Sequence, residues 1–161
     1  MGSPAIFAHY LTATKPKLHS YMPREHQAKI QQYMNWFLSV LRPATIRLTK
    51  VMIGPKLFGH EYYSGEEVEA AKLAFLEVLQ RLEGLMDKGQ YLISSVEPTV
   101  VDIIYYNEVS TALLLTRIGN DRQFNRNYPQ LTGWVTRMSG INELVNYEDS
   151  LGEIIDGHDL Q

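Results

Sequence analysis

The side chains most able to bind a metal or move a proton near neutral pH are five histidines, His9, His19, His26, His60 and His158. No two stand four residues apart, and none follows a glutamate by three residues, so neither helical metal-ligand spacing is present. The 161 residues contain no cysteine, which excludes thiolate catalysis, a disulfide scaffold and cysteine-ligated zinc or iron–sulfur sites. There is no Gly-x-Gly-x-x-Gly, no phosphate loop ending in Gly-Lys-Ser/Thr and no Gly-x-Ser-x-Gly. A nucleophile triad cannot be assembled from sequence order alone. No metal ligand and no catalytic residue is assigned.

One polar residue stands out. Arg42 lies in the apolar turn Val40-Leu41-Arg42-Pro43, where a guanidinium needs a carboxylate, a ligand anion or a route to water. Around it, Met34, Trp36, Phe37, Tyr105 and Tyr106 are candidates for an apolar pocket, and equally for ordinary core.

The elements that must position these residues are helical. Ser3 caps and Pro4 opens a first helix with Ile6, Tyr10 and Leu11 on its edge; Lys15-Pro16-Lys17 ends it, and residues 15–22 read as a linker. A long helix follows Pro23 towards residue 50, with Ile30, Tyr33, Met34, Phe37 and Leu41 as its apolar stripe. Pro43 falls inside that pattern and predicts a kink, and Gly54-Pro55 with Gly59 predicts a loop. Ser64-Gly65-Glu66-Glu67 is a capping box. Behind it Val68, Ala71, Phe75, Val78, Leu82 and Leu85 predict a helix packed against the previous one as a hairpin. Thr99 and Asp102 form a second capping box, opening a helix from Ile103 to Leu115 that is apolar on nearly every side and therefore central. Tyr128-Pro129 opens another, with Leu131, Trp134, Val135 and Met138 on one face. A short helix over 141–145 and an acidic tail complete an all-α chain of five or six helices.

Charge divides unevenly. Residues 1–60 carry eight Lys or Arg against one acid, and residues 61–161 carry seven against seventeen. The basic residues are scattered and lack a ribonucleoprotein motif, so no nucleic acid is expected; basic early helices packing near acidic later ones explain the division. No run of about 18 apolar residues exists, so no membrane span is expected.

With these features in order, the chain resembles the C-terminal half of a cytosolic glutathione transferase, the theta class above all. Ser3-Pro4-Ala5-Ile6-Phe7-Ala8-His9-Tyr10-Leu11 is similar to the helix that closes the family's thioredoxin-like domain. Tyr33-Met34-Asn35-Trp36 with Leu41-Arg42 is similar to the theta-type fourth helix. Tyr91-Leu92-Ile93-Ser94 with Pro98-Thr99-Val100-Val101-Asp102 resembles the family's buried capping-box segment. Tyr128-Pro129-Gln130-Leu131 with Trp134 resembles its Tyr-Pro-x-Leu-x-x-Trp signature.

The resemblance implies a remnant last helix of a thioredoxin-like domain over 1–14, the linker over 15–22, and a helical domain over 23–161. It implies that Ser3 matches a residue binding the γ-glutamyl carboxylate and Arg42 an arginine near the glutathione site, with Met34 and Trp36 as further ligand-binding candidates. The family's catalytic hydroxyl and cis-proline segment lie in the part that the match does not include. The expectation is therefore a chain inactive alone, with no cofactor, that serves as a protein-binding or assembly module in a larger complex or as a homo-oligomer. A start at Met1 beside a capped helix favours that reading. The alternative is the hydrophobic-substrate half of a theta-like glutathione transferase, using glutathione, with its other domain supplied elsewhere. The expected compartment is the cytoplasm, or the mitochondrion for a subunit of a larger assembly.

Overall fold

A computed structural model describes residues 24–59, 63–86, 90–117 and 122–141. The Ser3 site, the helix over 1–14, the linker and nearly all of the expected last helix and tail lie outside them. Among the described residues the regular structure is entirely helical: α1 (Arg24–Trp36), a π-helical turn (Phe37–Leu41), α2 (Arg42–Phe58), α3 (Gly65–Leu85), α4 (Val100–Thr116), α5 (Arg122–Asn127) and α6 (Pro129–Ser139).

The expected kink at Pro43 takes a specific form. Pro43 cannot donate a helical hydrogen bond, and the chain widens into a π turn just before it, with the Arg42 N–H bonded to the Phe37 carbonyl. Pro43 then sits in the first turn of α2, where no donor is required. The wide turn keeps both Phe37 and Leu41 buried. The loop expected at Gly54-Pro55 does not form. Helix α2 runs through both residues and stops at Gly59, whose φ of 65° and N–H bond to the Pro55 carbonyl close a left-handed cap. Pro55 has no N–H to donate to the Val51 carbonyl one turn earlier, and α2 continues past it without that bond.

Helices α2 and α3 pair as the expected hairpin. The Ser64 box is formed: the Ser64 N–H donates to Glu67 Oε2 (2.9 Å) and the Glu67 N–H to Ser64 Oγ (3.2 Å). Ala71, Phe75, Val78, Leu79 and Leu82 bury the α3 face, but Leu85, expected on the same seam, stays 45% exposed. Helix α4 packs against α1, α2 and α6 and buries Val101, Ile104, Tyr105, Tyr106, Val109 and Ala112. Each such large apolar side chain is worth about 1.5–3 kcal/mol on burial, so α4 is the main source of cohesion.

Helix α5 was not foreseen. Its six residues bury only Phe124, which packs on Tyr128 with ring centroids 4.9 Å apart. Helix α6 buries Leu131, Trp134 and Met138 as expected. Its first turn is capped from another helix: Glu83 of α3 accepts the N–H groups of Gln130 (2.9 Å) and Leu131 (2.7 Å).

Candidate functional site

The second capping box is a buried junction. Asp102 is fully buried and accepts four hydrogen bonds. Oδ2 takes the Thr99 N–H and hydroxyl (both 2.8 Å), while Oδ1 takes the Leu92 N–H (2.8 Å) and the Trp134 indole N–H (3.0 Å). A buried carboxylate is tolerable when its lone pairs are filled in this way. The local Thr99–Asp102 pairing was readable in the sequence; the distant donors from Leu92 and Trp134 depend on the tertiary fold. Through them Asp102 fixes the 90–99 segment and α6 to the start of α4.

One turn along α4, Tyr105 does the same for α1. Its hydroxyl donates to the Tyr33 carbonyl (2.6 Å). Its ring stacks on Trp36 (centroids 5.8 Å, planes 10° apart), meets Tyr33 edge-on at 6.0 Å and touches Phe37 at 5.5 Å. Burial, and then the neighbouring Tyr33, push the Tyr105 hydroxyl far above the usual phenol range, although a backbone hydrogen bond at Phe37 acts the other way. Tyr33 is raised too, by burial first and then by the negative charge of Asp102. Both hydroxyls stay protonated at physiological pH.

The two walls held by Asp102 and Tyr105 enclose a cleft of about 520 Å³. From α1 come Lys29, Tyr33 and Trp36, at positions i, i+4 and i+7 of one face; from α3 come Arg81 and Leu85; the remaining wall is residues 91–95. That last wall is pinned at three points. Arg137 donates through Nε (3.1 Å) and Nη2 (2.8 Å) to the Gln90 carbonyl, Asp102 takes the Leu92 N–H, and Ser94 Oγ accepts the N–H groups of Val96 (3.2 Å) and Glu97 (3.4 Å). The 45% exposure of Leu85 follows, since it faces this opening rather than the α2–α3 seam.

The sequence-derived candidates separate. Trp36 lines the cleft. Met34 is half-buried against the core and is absent from the cleft lining. Phe37, Tyr105 and Tyr106 are fully buried core. Arg42 lies on the α2–α4 seam, where its Nη1 meets Glu108 Oε2 at 3.2 Å and Thr45 Oγ1 donates to the other carboxylate oxygen. Of the three options open to that guanidinium, the fold supplies the carboxylate. This pair also joins the basic early part of the chain to the acidic later part. Lys29, Arg81 and Tyr91 were missed as site residues. The only local signal was the Lys29–Tyr33–Trp36 spacing, and Arg81 reaches the same opening solely through the hairpin. No group of His, Cys, Asp or Glu able to hold a metal ion occurs among the described residues. None of their helices is long and apolar enough to cross a membrane.

No family model matches the chain. No curated protein matches it either. Solved structures do match. The chain is similar to the crystal structure of the glutathione transferase Ure2p5 from Phanerochaete chrysosporium, with a TM-score of 0.79 and 17% identity over 99% of this chain and 69% of that one. It is also similar to Ure2p5 co-crystallised with 1-(S-glutathionyl)-2,4-dinitrobenzene, with a TM-score of 0.79 and 19% identity over 97% of this chain and 70% of that one. At these identities the likeness defines the fold, a glutathione-transferase-like all-helical domain.

Proposed function

We propose that this chain is the ligand-binding helical domain of a glutathione-transferase-like protein, and that it takes the flat aromatic part of a small organic molecule into the α1–α3 cleft. The carrying observation is the cleft itself. Its volume falls within the range of about 300–1,000 Å³ typical of small-molecule sites, and Tyr33, Trp36 and Tyr91 supply aromatic surface. The wall is preorganised: Trp36 is stacked against the buried Tyr105, so little side-chain freedom is lost on binding. The dinitrobenzene ring in the Ure2p5 co-crystal is a moiety of this kind. The reading corresponds to the hydrophobic-substrate role that the family resemblance implies.

An assembly role draws on Leu38, Ile46 and Leu73, exposed by 51%, 52% and 60%. Such side chains standing singly on a surface are common and need no partner, so this reading has weaker support.

The test is equilibrium dialysis of the purified chain against 2-naphthamide, a neutral flat aromatic. Saturable binding that is lost in Trp36→Ala supports the cleft. Equal binding by the variant, or none by the parent, refutes it.

A further inference from the structure

We infer that α1 is a hinged flap, which opens as a unit on the π turn while the rest of the bundle stays folded. The cleft is complete only while Tyr105 holds α1 closed. The opening itself needs no ligand; its coupling to ligand binding rests on the aromatic-binding role proposed above.

Burial separates α1 from the bundle. None of its described side chains, over residues 27–36, is buried, whereas Phe37 and Leu41 in the turn that follows are 1% and 0% exposed. Helix α1 packs chiefly against α4, with Ile30, Tyr33, Met34 and Trp36 only half-buried on the core. A segment with so few buried apolar side chains opens at much lower free energy than a central helix such as α4. Once detached, a helix of 13 residues is marginal in water, so opening also frees its amides.

The joint combines three causes of helix bending. The chain widens into the π turn over Phe37–Leu41. Pro43 has no N–H for the Ser39 carbonyl one turn earlier. The Ser39 hydroxyl donates back to the Asn35 carbonyl (2.7 Å). The latch is Tyr105, with its hydroxyl on the Tyr33 carbonyl and its ring on Trp36. The other walls stand without α1: residues 90 and 92 are tied to Arg137 and Asp102, and α3 is paired with α2. Opening therefore removes Lys29, Tyr33 and Trp36 from the cleft and leaves its other sides in place. A ligand that needs all the walls binds the closed form and holds α1 down.

The experiment is residue-resolved amide hydrogen exchange on the purified full chain. Without ligand, the amides of residues 28–36 should exchange as a group, about a hundredfold or more faster than those of the buried Tyr105, Tyr106 and Val109. Thr99→Ala weakens the bundle away from the latch, so it should speed exchange in α4 and leave 28–36 unchanged. Tyr105→Phe should speed 28–36 about fivefold. 2-Naphthamide at about ten times its dissociation constant should slow 28–36 about tenfold. If 28–36 exchange at the α4 rate in the parent, or speed up with α4 in Thr99→Ala, α1 opens only with the whole fold and the flap is overturned. Exchange that slows steadily from residue 28 to 36 would mean fraying from the helix start, and would overturn it as well. 2-Naphthamide that binds in dialysis yet leaves 28–36 unchanged would overturn the coupling. No binding at all would remove the aromatic-binding role and the coupling together, while the ligand-free rates still decide the flap.

Discussion

The Tyr105 hydroxyl donates to the Tyr33 carbonyl across 72 positions of sequence, at 2.6 Å, and thereby fixes the face of α1 that carries Lys29 and Trp36. Three residues earlier on the same helix, Asp102 holds the opposite wall through the Leu92 N–H. The cleft is thus assembled on one turn of α4. Tyr105→Phe keeps the ring stack and removes only the hydrogen bond. It should cost about 1 kcal/mol in urea unfolding and loosen ligand binding without abolishing it.

Asp102 should be the more sensitive position. Asp102→Ala strands four donors in the interior and is expected to cost about 3 kcal/mol or more, against about 1–2 kcal/mol for Thr99→Ala, which loses mainly the cap. A cycle of Asp102→Ala with Trp134→Phe should show coupling of about 1 kcal/mol, since each removes one end of the same bond. Urea midpoints for both single variants within error of the parent would show that this junction is not central.

Alkaline pH should unfold the chain. Tyr33 and Tyr105 both have their ionisation raised above the ordinary value of 10.0 by burial, so the folded state resists deprotonation that the unfolded state accepts. Their stabilisation is complete below 10.0 and declines as pH rises beyond it towards the folded-state values. Urea midpoints should be level up to about pH 9 and fall above about pH 10, with a shallower fall in Tyr105→Phe. A midpoint that is flat through that range would contradict the assignment.

Arg42 tests the difference between a structural and a ligand-binding arginine. Its side chain is 28% exposed and that of Glu108 19%, so screening discounts the pair, and Arg42→Ala should cost about 1 kcal/mol. Affinity for 2-naphthamide should be unchanged. A large loss of affinity at full stability would return Arg42 to the site.

Much of the architecture was readable because its signals are local. The Ser64 and Thr99 boxes lie within four residues of their partners, and the stripes of α3 and α6 repeat at helical spacing. Gly54-Pro55 misled because a proline weakens the preceding turn of a helix without having to end it, and α2 runs three residues beyond Pro55. Gly59, not that pair, carries the stop. Its Cβ would meet nothing within 4 Å, so Gly59→Ala should cost about 1 kcal/mol through the left-handed backbone alone, as melting would show. The site was harder to read. Trp36 was marked by its type, but Arg81 and the 91–95 wall become neighbours of Lys29 only after the hairpin closes and Asp102 draws in Leu92. Met34 lies two residues from Trp36, on a different face of α1, and is not part of the cleft lining.

The central claim, an aromatic ligand seated against Trp36, is tested most directly by the indole N–H resonances of the two tryptophans during titration with 2-naphthamide. Trp36 lines the cleft and Trp134 is fully buried with its N–H on Asp102. The Trp36 signal, assigned with Trp36→Phe, should shift in a saturable way while that of Trp134 stays nearly fixed. A Trp36 signal that does not move at ligand saturation, or equal shifts of both, would contradict the account.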